Sequence, residues 1–357
     1  MLILALALTG TAQATDVAVD VAEVPGSTRM VGMAGAYRAI AEGSAAQRLN
    51  PASLAVRPTG SDRSELDWDY VATARGLVPV LFTLDLSQLA DAPLPTLGIT
   101  LGGVLRRDGH AGAGLLDLTT VYDSETGRGT ARVEVSAGYG RSLLDDRLQV
   151  GIMPALQVVR AGGARDPVTA VLPTLGVGVR WDVRDSPFRF GASLRTPWRT
   201  RVDDPVVDGI RLPWEAGVGM AVRRGRMSHG PKPAEPSDDL LFVQYAVDLS
   251  VGGPAKDVTS LEAWTRDQVS AGDVPTTVSF ATGLEVEPAP HFLRVRMGVY
   301  TEPSRARFSL DGVRVHGTVG LDIALFELPK SRWRWMIGPV VDASSLGVRP
   351  AIGVGLW

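Results

Sequence analysis

The chain has 357 residues, 45% of them hydrophobic and 21% charged, so it is neither disordered nor too short to bury a large core. A net charge of −3 provides no basic surface for nucleic acid, and zero cysteines exclude disulfide scaffolds, thiol catalysis and cysteine zinc sites. Forty glycines and 24 prolines without a collagen period argue for many strands joined by turns.

Met1 to Leu8 is apolar and Ala12-Gln13-Ala14 is a small-residue triplet, so residues 1–14 read as a secretory signal cleaved after Ala14. No Lys or Arg precedes the apolar run, and a buried N-terminal strand is the competing reading. Beyond it no stretch reaches the roughly 18 apolar residues that a membrane helix requires. A mean hydropathy of +0.09 still suits a barrel, which alternates apolar and polar residues.

Residues 15–60 are rich in Ala and Gly, and from Glu65 onward the pattern has a period of two. Leu66, Trp68, Tyr70 and Ala72 oppose Glu65, Asp67 and Asp69. Leu175, Val177, Val179 and Trp181 oppose Thr174, Gly176, Gly178 and Arg180. Val313, Val315, Val319 and Leu321 oppose Arg314, His316, Thr318 and Asp322. Each such segment is a strand with one apolar face and one polar, glycine-rich face.

About fourteen segments follow, near 65–75, 77–87, 95–106, 130–141, 147–160, 170–183, 187–196, 211–223, 239–250, 275–287, 291–301, 313–327, 331–344 and 347–357. Short turns at Asp145-Asp146, 184–186, 288–290 and Pro329-Lys330 alternate with longer junctions at 107–129, 161–169, 197–210, 251–274 and 302–312. A transmembrane barrel shows this asymmetry. The polar stretch 224–238 breaks it, leaving the strand count open by two.

A soluble sandwich would alternate in the same way. Lipid is favoured because the polar parity carries glycine and charges of both signs. Trp68, Tyr70, Trp181, Trp214, Trp333 and Trp335 also stand near segment ends, where interfacial aromatic belts belong. The chain ends in Trp357, a terminal aromatic of the kind that outer-membrane barrels carry, although Gly355 breaks the usual pattern before it.

Between the signal and the first strand stand Gly26-Ser27-Thr28-Arg29-Met30-Val31-Gly32-Met33-Ala34-Gly35-Ala36, then Glu42-Gly43-Ser44, then Asn50-Pro51-Ala52-Ser53-Leu54. This resembles the N-terminal segment of FadL-type outer-membrane transporters and the related PorV-like barrels, with Ala34 and Ser53 replacing family glycines. Glu285 and the stretch Leu293 to Glu302 more loosely resemble the PorV-like branch. The resemblance implies an all-β, fourteen-stranded antiparallel transmembrane barrel over 61–357, with residues 15–60 folded into the lumen as a hatch. Gly32, Met33, Gly35, Asn50 and Pro51 would be the hatch or gating residues, unless the motif serves packing alone. On the lumen parity, Arg132, Arg180, Arg189, Arg294 and Arg296 can bond hatch carbonyls or pair with Glu134, Asp182, Glu285 and Glu287. His316 is expected to touch the hatch.

No catalytic constellation emerges: the four histidines have no metal-ligand spacing, and no G-x-S-x-G, H-E-x-x-H or P-loop is present. The reading is a non-enzymatic protein of the bacterial outer membrane with no cofactor or metal. Its partners would be membrane lipid and hydrophobic small molecules such as long-chain fatty acids, taken up passively. The alternative is a PorV-like scaffold serving secretion-system proteins or surface attachment. Lateral exit through the wall needs a kink, and Gly102-Gly103, where the alternation slips before Val104, is expected to form a bulge.

Overall fold

The computed structural model describes residues 15–18, 26–57, 64, 66–76, 96–123, 128–162, 168–202, 207–225, 242–260, 272–289, 292–303, 313–327, 334–344 and 347–356. The expected signal at 1–14, the segment at 77–87 and Trp357 lie outside them. Fourteen strands close an antiparallel barrel. Numbered along the chain, they begin with β2 (Asp67–Arg75), β3 (Thr96–Arg107), β4 (His110–Asp123), β5 (Arg128–Leu143), β6 (Leu148–Gly162), β7 (Val168–Asp182) and β8 (Phe188–Arg195). They continue with β11 (Glu215–Arg224), β12 (Phe242–Gly252), β15 (Thr277–Ala289), β16 (Leu293–Pro303), β17 (Val313–Glu327), β18 (Arg334–Ser344) and β19 (Gly347–Leu356). Pairing of β19 with β2 closes the ring.

The parity decides the faces. In β7, Ala170, Leu172, Thr174 and Arg180 are buried, while Val171, Leu175, Val177, Val179 and Trp181 are exposed. The apolar side faces outward around the ring: Leu105 is 58% exposed, Val135 54%, Val218 56% and Val319 56%. So broad an apolar surface belongs in lipid rather than water. The charged side faces inward, with Glu285 and Asp322 at 0%. A sandwich would reverse this arrangement.

Three of the long junctions differ from expectation. Residues 107–129 contain β4, hairpinned to β3 through Asp108 and Gly109, both at positive φ. Its lipid-facing positions Gly112 and Gly114 lack side chains, which hides the alternation that revealed the other strands. The short turns at 144–147 and 183–187 lie at the same end as the start of β2 and the end of β19. We term this the turn end. Trp68, Tyr70 and Trp335 pack together there, with ring centroids 6.3 and 5.7 Å apart, and Trp181 packs on Phe190.

The junctions 197–210 and 251–274 are not plain loops. At the opposite, loop end they form β9 (Trp198–Arg201), β10 (Val207–Leu212), β13 (Ala255–Ser260) and β14 (Gly272–Val274). Together with β1 (Thr15–Ala18) these make a five-stranded sheet ordered β14-β13-β1-β10-β9. Its residues Val17, Ile210 and Leu212 pack on Val159, Ala161, Ala170 and Leu172 from the inner wall, which seats the sheet in the barrel mouth.

Candidate functional site: the lumen segment

Residues 26–57 occupy the lumen, touching inward-facing positions of strands around most of the ring. Ser27 caps a single helical turn, α1 (Thr28–Gly32), its Oγ accepting from Met30 N. Ala34 at φ 55° and Gly35 at φ 76° then reverse the chain. Met30, Met33, Ala36, Tyr37, Ala39, Ile40 and Ala41 form a small apolar core with Ala221 and Ala246 of the wall. Asn50 caps the turn Pro51–Ala55 through Oδ1 to Ala52 N at 3.1 Å. Its Nδ2 donates to Arg38 O at 2.8 Å and to Val179 O at 3.0 Å, tying two parts of the segment to the wall.

Close approach is possible because the wall lacks side chains at the contact points. A Cβ on Gly151 would strike the Pro51 carbonyl, and one on Gly178 would strike Asn50 Oδ1. Gly32 lies against Gly320 and Arg296, and the Met33 backbone lies against Gly283 and Gly298.

Charge provides the rest of the grip. Arg29 forks onto Glu285 at 2.9 and 2.7 Å and reaches Glu42 at 2.7 Å. Arg296 donates to the same Glu285 at 2.8 Å and to Asp322. Arg38 bonds Glu215 at 2.9 Å and Ser193 at 3.1 Å. Asp248 accepts from the backbone N–H groups of Tyr37 and Arg38 at 3.1 and 2.9 Å. Arg48 and the wall residue Arg75 share Asp117, at 3.0 and 2.9 Å. Arg180 donates to Ala39 O at 3.0 Å, and Arg106 to Leu54 O at 2.7 Å. Buried charges persist only when paired and hydrogen-bonded in this way.

Several expected residues therefore meet and others do not. Gly32, Met33, Gly35, Asn50 and Pro51 all lie in the docked segment. Arg180, Arg296 and Glu285 reach it or its partners, as does Arg132, which meets the Arg48 partner Asp117 at 3.5 Å, whereas Arg294 meets Glu287 at 3.9 Å on the wall. His316 is a correction: its ring nitrogens meet Glu302 at 2.8 Å and Asp342 at 3.0 Å, both wall residues, and Tyr300 stacks on it. The Gly102-Gly103 bulge is another. Pairing of β3 with both neighbours runs unbroken through these residues, and Val104 faces inward against Leu54. Gly102 instead makes room for Ser44. Sequence reasoning missed Arg29, Arg38, Arg48, Arg106, Asp117, Glu215 and Asp248. On the strands, inward parity was the signal available for them.

At the turn end, a cavity of about 110 Å³ lies between the segment and the wall, lined by Arg29, Tyr37, Glu42, Asp69, Arg106 and Arg294 among others. Ala45, Val56, Tyr70, Val71 and Met336 also line it, so charged and apolar surfaces meet there.

No family model and no curated protein matches the chain. Solved structures do. A Pseudomonas aeruginosa FadL homologue aligns at a TM-score of 0.53 and 11% identity, over 93% of this chain and 97% of that one. The CymD monoaromatic hydrocarbon channel aligns at 0.57 and 12%, over 93% and 96%. The Pseudomonas putida toluene transporter TodX aligns at 0.55 and 12%, over 94% and 98%. The chain has the FadL-type fold. At these identities the likeness concerns the fold alone.

Proposed function

We propose that this FadL-type barrel is a non-enzymatic channel of the bacterial outer membrane for passive uptake of hydrophobic small molecules, with residues 26–57 as its hatch. The observation carrying this reading is alignment over nearly the whole length with channels described as carrying monoaromatic hydrocarbons and toluene. Both alkyl aromatics and long-chain fatty acids are candidate solutes.

Tight packing of the hatch makes straight passage along the axis unfavourable, which supports a sideways exit through the wall. Gly103 faces Gly114 directly on the lipid side of β3 and β4, leaving that surface bare. Two strands on, the β5–β6 pairs skip from Ser136↔Ala155 to Tyr139↔Ile152 where Pro154, which lacks an N–H, interrupts the ladder.

Expression in an outer-membrane strain lacking its own hydrophobic-compound channel tests the reading. Uptake of toluene or oleate should rise above the empty-vector level, and unchanged uptake of both would refute it. A secretion scaffold is the second reading. It is favoured by Glu285, in the PorV-like stretch, serving as the hub that clamps Arg29. Under it, purification would yield stoichiometric protein partners and no uptake.

A further inference from the structure

The sheet in the barrel mouth is assembled in an unusual way. Two hairpins, β9–β10 and β13–β14, emerge from separate junctions of the barrel, and among the described residues no pairing joins them directly. The four residues of β1 lie between them, parallel to both. Asp16 pairs with Gly209 and Val258, Val17 with Ile210 and Thr259, and Ala18 with Arg211 and Ser260. An extended segment filling a gap between two strand edges is the geometry of peptide recognition by strand addition.

The gap also reads side chains. Arg199 forks onto the Asp16 carboxylate, Nε to Oδ2 at 2.7 Å and Nη2 to Oδ1 at 2.9 Å. Arg211 adds Nε and Nη2 to Oδ2 at 3.0 and 2.7 Å. Four N–H donors thus converge on one carboxylate, a specific receptor for an acidic side chain. Beside it, Gly209 has no side chain where a Cβ would come within 2.8 Å of Asp16 Oδ1. The next position, Val17, enters the apolar cluster with Ile210 and Leu172, and Ala18 fits against Ala255 and Val258.

From this we infer that the barrel mouth contains a binding slot for an extended peptide with an acidic residue followed by small apolar ones, occupied in the resting protein by its own residues 15–18. The occupant is this chain's own N-terminal segment, and a free peptide of the same chemistry competes with it for the slot. The slot is independent of which solute the barrel passes.

The test uses the full chain and a variant lacking residues 15–18, both refolded in detergent, with barrel formation verified by heat-dependent gel mobility. The probe is a fluorescein-labelled peptide, Thr-Asp-Val-Ala-Val-Asp, followed by anisotropy. The shortened chain should bind it saturably. A peptide with Asn at the position of Asp16 should bind about five- to tenfold more weakly, because it loses the charge-assisted fork. Gly209→Val in the shortened chain should abolish binding while leaving the gel shift intact. The full chain should bind only as fast as its own strand leaves. In it, a Val17→Cys/Ile210→Cys pair, unambiguous in a cysteine-free protein, should abolish binding when oxidised and restore it when reduced. Failure of the folded, shortened chain to bind would overturn the inference, as would equal binding of the Asp and Asn peptides.

Discussion

Two parts of the N-terminal region enter the barrel, and they are held by different means. Residues 26–57 are gripped by guanidinium–carboxylate pairs buried on nearly every side, against a wall whose glycines admit backbone contact. The strand β1 is held by a short parallel pairing, by Val17 and Ala18 in two small apolar clusters, and by one acid between two guanidiniums that are 34% and 32% exposed. Water can replace the guanidinium contacts that β1 would lose on leaving, but few of the ion pairs that the deeper segment would lose. The difference separates a fixed plug from an exchangeable strap.

Glu285→Ala should have the largest effect on this contrast, because it removes the carboxylate that Arg29 and Arg296 share and leaves each with one acid, Glu42 and Asp322 respectively. The expected loss is about 3–5 kcal/mol in urea unfolding from lipid vesicles. If stability falls by less than a third of that, the buried pairs do not fix the segment. Gly151→Val forces the Pro51 carbonyl away and should cost about 1–3 kcal/mol. It should also expose residues 50–55 to limited proteolysis while β1 stays protected.

Asp16→Asn should release β1 alone, at about 1 kcal/mol, since its partners are half-buried. A dye at Thr15→Cys would show a drop in anisotropy with no change in the unfolding midpoint. The smallest effect is that of pH. Burial by itself pushes the Asp16 carboxyl up, but Arg199 and Arg211 outweigh it and hold the group below the usual carboxylate range. Its contribution is therefore complete above the ordinary Asp pKa of about 4, and is lost as pH falls through the lower folded value. The same dye signal should stay flat from about pH 7 to about pH 5 and fall only in stronger acid. A fall already near pH 6 would assign the hold to some other group.

Much of the barrel was legible because lipid imposes a strict rule: every second residue of a strand is apolar, and Val177, Val179 and Trp181 obey it. The rule fails where glycine stands on the lipid side. Hence β4, with Gly112 and Gly114, was read as part of a long junction, and Gly103 imitated a slip in parity at a place where the ladder is regular. The lumen segment was legible through the family resemblance that its Gly-rich motif and Asn50-Pro51 carry. Its charge partners were not, because Arg38 meets Asp248 across 210 positions of sequence and no local pattern encodes that distance. The mouth sheet was hidden for a related reason: its strands are three to six residues long, too short to establish a period.

The position of the lumen segment also constrains assembly. Its chain begins in the mouth at β1 and ends where β2 starts at the opposite end, so it runs the length of the barrel like a ship inside a bottle. The seam that joins the two ends of the strand sequence, β19 on β2, consists of five residue pairs. A wall sealed around an empty lumen would confine Glu285, Asp248 and Asp117 with half their cations missing. The bottle is therefore best closed around the ship, and sealing of the wall and docking of the segment become one cooperative event.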